Sequence, residues 1–596
     1  MEDKVSRFFS LRVRSHLWVF LICVVAALGM TWPTVLHLAE NTVPTKYMDV
    51  SLYYWNLWWF KMALLDLGTN PVYTSYLFAP IGTTLASHTL TPYYGLIGIP
   101  LQLLFGLSAT FGLIYLSTFI LSVLGMYLLI YHLTEDRQSS LVGAIIFTFA
   151  PWHMLHAKFH LNLLSIQFIP LFILYLLKLL ERPGAKYAIL AGVYMALTAL
   201  SDWNYLLFIL LFVLVFLIWA YLNEKGAMTQ PKFLYALCGM MGVCLFLVSP
   251  FLIPLLRVIL SGEINIAGEG GAREYSADLA AFFVPSNLHP LWGDSVFIRG
   301  LYSKLSGGVS EGTVFLGYTA LFLGVVGVLR VEQRLTRLWV AVFALFLVLS
   351  LGPDLQVFGK EYLGFTRLPY NWLIQHTPIL KGARVPARFT VMTVLALSVL
   401  AGLGLKKILL GFAPRQRALF STMVAGLILF EFMAKPVFTE MKVPEPYKKF
   451  AQDKGAYSIL DVPVAMPQNV NLYMAYQTVH QKPIISGYIS RVIPKNWKFI
   501  NEDPFVRLLH YPELITPATL DTMPVGLIRN KIKYVLVHRN NKFYNVVDAP
   551  YFDHTKVRIV RGEKKEAFLA NIHKLLSRHL KRSPLSGENI TVYKVY

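Results

Sequence analysis

Charge is what this sequence has least of. Only 15% of its 596 residues are Asp, Glu, Lys or Arg, where a water-soluble chain carries roughly a quarter. With 56% hydrophobic residues and a mean hydropathy of +0.53, that shortage excludes an ordinary soluble domain. Cysteine is nearly absent too. Cys23, Cys238 and Cys244 all lie in apolar stretches, which excludes a disulfide framework or a zinc motif. Acids number 33 against 54 Lys and Arg, a formal charge of +21. Such an excess usually points to nucleic acid. Here much of it falls between apolar runs, where it sets topology, and the rest lies in the C-terminal region, suited to anionic headgroups or a phosphate-bearing substrate. No internal repeat or low-complexity tract is evident. The glycine-rich GEINIAGEGGARE (262–274) lacks the strand and GK[ST] context of a nucleotide loop; it is expected to be a flexible segment able to close over a substrate.

What is abundant is apolar runs of about 17 to 25 residues, each long enough to cross a bilayer. Spans are expected near 17–38, 109–131, 139–155, 163–180, 186–200, 204–222, 233–257, 313–330, 337–352, 389–405 and 417–433, eleven in all. The first lacks a small-x-small cleavage site and is expected to be retained. With the N-terminus (Lys4, Arg7, Arg12, Arg14) cytoplasmic, the loops TEDRQ, ERPGAK, NEKGAMTQPK, RVEQRLTR and KKILLGFAPRQR all carry cations, as inner loops should, while the opposite loop SDWNY has none. Residues 91–106 are apolar but broken by Pro92 and Pro100, and are expected as a helix on the outer surface. The membrane domain would then be 1–433, with outer segments 39–108, 150–163, 258–312 and 353–388. From 434 to 596 the apolar runs shorten to strand length, as in AYSILDVPV, KYVLVHR and ITVYKVY, with a helical KEAFLANIHKLLSRHL among them. This predicts an extracytoplasmic α/β or α+β domain.

Several polar groups fall on the outer side. Asp49, in KYMDVSLYYWNLWWFKM, precedes an aromatic helix whose tryptophans suit the headgroup layer. It is either the N-cap of that helix or a general base at the membrane boundary. In WHMLHAKFHLN, His153, His156 and His160 share one face if helical and admit three readings. They could ligate a divalent metal, although no carboxylate follows at ligand spacing. His160 with Asn162 could donate to a phosphate or sugar. Plain interfacial packing is the third reading. Asp202 in SDWNY is a second cavity acid or a turn residue. Glu274 and Asp278 sit four apart in AREYSADLAAFF, expected on one helix face, either as an acid pair or simply solvated. His88 and His289 complete the outer polar set.

A cytoplasmic N-terminus, a first outer loop with an early acid before a helix, many spans and a C-terminal outer domain together resemble the GT-C class of membrane glycosyltransferases. Protein O-mannosyltransferases and the aminoarabinose transferases of lipid A belong to it. MDVSLYYWNLWW, NPVYTSYLFAPIGTTLASHTLTPYYGL, FAPWHMLHAKFHLNLLSIQFIPL, EYSADLAAFFVPSNLHPLWG and RVPARF look still more like a set of uncharacterised prokaryotic GT-C-like membrane proteins, over roughly residues 15–435. The resemblance implies a polyprenyl-phosphate-linked sugar donor and a first-loop acid that acts as catalytic base or positions the acceptor. Only Asp49 matches, without the second adjacent acid of the O-mannosyltransferase pattern, which leaves the acceptor (lipid, glycan or protein) open.

On that basis the expected activity is transfer of a sugar from the lipid phosphate to an acceptor hydroxyl on the extracytoplasmic face. The displacement would be metal-independent and inverting, with Asp49 as base and no cofactor. The departing phosphate needs cations, and Lys158, Arg273, Arg384 and Arg388 are the outer candidates. Arg384 and Arg388 in GARVPARF form the preferred clamp, with snorkelling to lipid phosphates the plainer account. Two other classes fit the sequence: a transporter or flippase of lipid-linked or anionic solutes, and a non-catalytic envelope scaffold.

Overall fold

The structure is a computed structural model. It describes residues 18–33, 37, 48–264, 271–307, 311–332, 334–377, 382–435, 442–464, 467–491, 493–539, 544–547, 557–560 and 562–596. The N-terminal cations and the centre of the glycine-rich stretch lie outside them.

Helices occupy all eleven stretches expected to be apolar spans. Among the described residues, four helices are long and apolar enough to cross a membrane: Pro92–Thr134, Trp203–Asn223, Pro231–Leu260 and Pro386–Leu409. Trp18–Met30, Ala185–Ser201 and Tyr318–Arg330 are shorter apolar helices. Residues 91–106 and 109–131, expected as separate pieces, are joined in Pro92–Thr134. Its break is at Gly106, whose φ of 77° and ψ of 171° no other residue type adopts readily.

The chain divides into two compact units. One comprises Met1–Ala39, Gly112–Pro250 and Ile266–Val437; the other comprises Glu40–Phe111, Phe251–Asn265 and Phe438–Tyr596. The first outer loop thus packs with the C-terminal region, although composition alone had placed it with the membrane domain.

In the first unit, helix Thr390–Leu409 (TVMTVLALSVLAGLGLKKIL) is apolar on every face and buried along nearly its whole length, as an all-round apolar helix should be. Its small residues let neighbouring backbones approach. A Cβ on Gly404 would lie 2.0 Å from the carbonyl oxygen of Leu323, and one on Gly327 would lie 2.1 Å from that of Leu400. Gly143 of helix Arg137–Phe149 faces the Ser398 carbonyl in the same way. The same unit carries an antiparallel hairpin, Asp354–Val357 with Lys360–Arg367. Its two turn residues, Phe358 and Gly359, both have positive φ, as a right-twisted hairpin requires.

In the second unit, a four-stranded mixed sheet runs in the order Ser458–Val462, Ile532–His538, Ile590–Lys594, Lys581–Arg582. The first two strands are parallel and the others antiparallel. Side chains alternate across this sheet. Ile459, Tyr534, Leu536 and Val592 enter one core, and Leu460, Val535, Val537 and Tyr593 enter the other, with Leu569, Ile572, Leu575 and Leu576 of helix Gly562–His579.

Helix Met48–Lys61 belongs to the first of those cores, and this corrects the reading of its tryptophans. Trp55, Trp58 and Trp59 are not exposed to a headgroup layer; they are buried with Tyr473, and the partly buried Tyr76 packs against them. Trp55 stacks on Trp59 at 5.5 Å. Buried indoles need acceptors, and these have them: the Trp55 N–H donates to Gln477 Oε1 at 2.8 Å and the Trp59 N–H to the Pro71 carbonyl at 2.9 Å.

Candidate active site

Pro151 cannot continue the helix that ends at Phe149, and it starts a short new one, Pro151–His156. That turn aims two histidines at one point. His156 Nδ1 and His160 Nδ1 lie 3.2 Å apart, so one ring donates to the other. On the other side of His156, Nε2 is 3.5 Å from Glu311 Oε2. Glu311 is 2% exposed, and its second oxygen, Oε1, accepts from Arg388 Nε at 3.0 Å and Nη2 at 2.8 Å. Arg388 sits in the 3-10 turn Pro386–Phe389, immediately before the buried helix Thr390–Leu409.

Burial holds His156 well below the usual imidazole range, and the neighbouring His160 and Arg388 add to that. It is therefore neutral, the form that ligates metals. Among the described residues neither His156 Nε2 nor Glu311 Oε2 has a hydrogen-bond partner. One ligand atom from each of His156, His160 and Glu311 lies within 4.8 Å of the others. Imidazole nitrogens with a carboxylate are a donor set suited to zinc or a similar divalent ion.

His153 takes no part in this cluster. Its Nδ1 and Nε2 contact the carbonyls of Thr148 (2.5 Å) and Leu164 (2.9 Å). The metal-capable group is therefore His156, His160 and a carboxyl from a distant loop, not three histidines of one face. Glu311 was missed because nothing near it in sequence marks it. The available signal was its isolation: it is the only charged residue between Lys304 and Arg330.

The remaining first-unit candidates are placed as follows. Asn162 donates to Asp202 Oδ2 at 2.5 Å, while Asp202 Oδ1 caps helix Trp203–Asn223 by accepting from the Asn204 N–H at 2.7 Å. Those two side chains tie the histidine loop to the start of helix Trp203–Asn223. Lys158 is half-buried in that loop. Arg273 is committed to Asp354 of the hairpin at 2.7 Å, with Glu361 at 3.6 Å. Arg384 is exposed. His289 stacks on Trp292 and contacts the Phe430 carbonyl at 2.9 Å, a packing role.

The expected Glu274–Asp278 pair needs correction. Residues 272–275 form a turn and no helix joins the two acids; Glu274 is exposed and Asp278 buried. Asp278 accepts from the backbone N–H groups of Ala280 (2.9 Å), Phe358 (3.0 Å) and Gly359 (2.7 Å). It is a structural clamp on the hairpin turn, because those turn amides would otherwise be left unsatisfied.

Asp49 and His88 lie in the second unit. Asp49 is the second residue of helix Met48–Lys61, inside its first turn rather than at the cap, where a carboxyl complements the helix dipole. His88 accepts from the Ser490 N–H through Nδ1 (3.2 Å) and so donates through Nε2 to Asn56 Oδ1 (3.2 Å). Burial lowers it to about 3, against the opposing pull of the nearby Asp49 charge.

No functionally curated protein matches this chain. Its fold is similar to the crystal structure of the oligosaccharyltransferase of Archaeoglobus fulgidus at 11% identity and a TM-score of 0.48, covering 89% of this chain and 70% of that one. It is also similar to ArnT from Cupriavidus metallidurans bound to undecaprenyl phosphate, at 10% identity and a TM-score of 0.49, covering 97% and 98%. Both are GT-C proteins. A family model matches residues 19–428, and the chain therefore belongs to the family described as a domain of unknown function, DUF6311.

Proposed function

We propose that this chain is a membrane glycosyltransferase that moves a sugar from a polyprenyl-phosphate-linked donor to an acceptor hydroxyl on the extracytoplasmic face. The observation that carries the reading is the arginine just ahead of a buried helix, its guanidinium fixed by a buried carboxyl. A lipid phosphate leaving the anomeric carbon needs a positive charge already in place. Arg388 carries such a charge, held in place by its two bonds to Glu311. Asp49 takes the proton of the attacking hydroxyl, and the anomeric centre inverts in one displacement. His160 and Lys158, half-buried in the same loop, add donors toward the sugar or phosphate.

A second reading of the same site is favoured by the facing atoms His156 Nε2 and Glu311 Oε2, neither of which makes a hydrogen bond among the described residues. There His156, His160 and Glu311 would hold a divalent cation, which would supply Lewis-acid charge for the leaving phosphate, and Arg388 would orient the Glu311 carboxyl.

The test is transfer from radiolabelled polyprenyl-phosphate sugars by the full chain in lipid nanodiscs. Replacing Asp49 by Asn should abolish labelling of the acceptor fraction, and normal labelling would end the proposal. Metal content of the purified protein, compared with that of His160→Ala, decides the second reading independently of activity.

A further inference from the structure

The second unit contains a cleft of about 610 Å³ that involves none of the residues assigned above to sugar transfer. It opens at the amino ends of the two parallel strands, where Ser458 and Lys531 line it. Three lysines, Lys454, Lys482 and Lys531, stand in its wall against a single acid, Asp453. That acid is already neutralised: its carboxylate accepts from Lys533 Nζ at 2.7 Å and from the Gly455 N–H at 2.8 Å. The three lining lysines have no carboxylate partner among the described residues. Lys482 Nζ is fixed by the carbonyls of Asp453 and Gly455 and lies 4.9 Å from the Tyr457 ring centroid. Partial desolvation lowers its pKa, against the opposing pull of the Asp453 charge.

A fourth group points the same way. His480 lines the cleft and is 1% exposed. Its Nδ1 accepts from the Lys482 N–H at 3.0 Å, which puts the ring proton on Nε2, and among the described residues that donor has no acceptor. A buried donor without a partner is costly. Two of the lining residues, Gln481 and Lys531, have φ of 55° and 56°, a strained backbone for residues with side chains. The cleft is far larger than a lone phosphate and falls within the range of small-ligand sites, about 300–1,000 Å³. Its remaining polar wall, Ser458, Gln481 and Asn530, suits a hydroxylated body better than an apolar one.

We infer that this cleft binds a sugar-sized anion, a glycan unit or headgroup carrying a phosphate or carboxylate, through Lys454, Lys482, Lys531 and the His480 Nε2–H. The site does not depend on sugar transfer by this chain. The experiment is calorimetric titration at low salt of the full chain in zwitterionic nanodiscs with glucose 1-phosphate, glucuronate, inorganic phosphate and neutral glucose. The comparison is the Lys454→Gln/Lys531→Gln double variant, which changes two exposed side chains; equal thermal unfolding of the two proteins confirms the fold. The charged sugars should bind and glucose should not, and the double variant should bind at least about tenfold more weakly, the effect of losing a charged hydrogen bond. Repeating the titration in nanodiscs enriched in phosphatidylglycerol separates the sources: competition assigns the cleft to a lipid headgroup, and unchanged binding assigns it to a soluble glycan. No binding by either charged sugar, equal binding of glucose, or unchanged affinity in the double variant overturns the inference.

Discussion

Arg388 and Glu311 form an ion pair whose carboxyl side is 3% exposed and whose guanidinium side is 20% exposed. Removing one member of such a pair leaves the other without compensation, whereas removing both by apolar groups does not. Arg388→Ala should therefore lower stability by about 3–5 kcal/mol, read as thermal unfolding in detergent. The Arg388→Met/Glu311→Leu double variant should recover much of that loss while still failing to transfer sugar. Equal destabilisation by the single and double changes would show that the pair is not acting as one buried unit.

Asp49→Asn keeps the shape of the side chain and its place in the first helical turn, and removes its charge and with it the ability to take a proton. Loss of a general base typically costs about 10²–10⁴-fold in rate, and a drop of that size in turnover is expected. Thermal unfolding should barely move. A variant that unfolds early and is inactive only for that reason would return Asp49 to a structural role.

His88 and His480 are both pushed down to about 3 by burial, from an ordinary 6.5. Their folded forms stay neutral where the unfolded chain takes up a proton. Stability is therefore complete above about pH 6.5 and is withdrawn as pH falls toward about 3, by up to about 1.4 kcal/mol per pH unit for each histidine. The nearby charges differ, Asp49 opposing the shift at His88 and Lys482 adding to it at His480. Unfolding free energy followed from pH 7.5 to 4.5 should fall along that slope, and His480→Gln should flatten it. A flat profile in the parent protein would contradict the burial of both rings.

Trp55 and Gln477 join two segments 422 residues apart. Trp55→Phe keeps most of the apolar bulk but leaves Gln477 Oε1 without its buried donor, at a cost of about 1–3 kcal/mol. Trp55→Ala adds a cavity and should cost about 3–5 kcal/mol. Denaturant unfolding monitored by far-UV circular dichroism separates the two. Similar small losses for both would mean that the tryptophan core relaxes freely.

The helices were legible because run length and hydropathy are local properties, and each expected apolar stretch contains one. The tryptophans of residues 55–59 were misread because an aromatic belt and an aromatic core have the same composition; only the partner groups, Gln477 and the Pro71 carbonyl, tell them apart. Glu274 and Asp278 have helical spacing, but their backbone follows a turn, since the Asp278 carboxyl has better partners in the amides of a hairpin 80 residues away. Glu311 was invisible for a related reason. Its meaning comes from His156 and Arg388, and no local pattern announces a contact made across the fold.

Helix Thr390–Leu409 is notched at Gly402 and Gly404; the Ile130 side chain sits against the first notch and the backbone of Leu323 and Gly327 against the second. A rod keyed on two sides can neither rotate nor creep lengthwise, so the guanidinium one turn ahead of it has a fixed bearing and depth. Whatever rearranges as ligands come and go in this molecule must do so around that arginine, which serves as the fixed reference point.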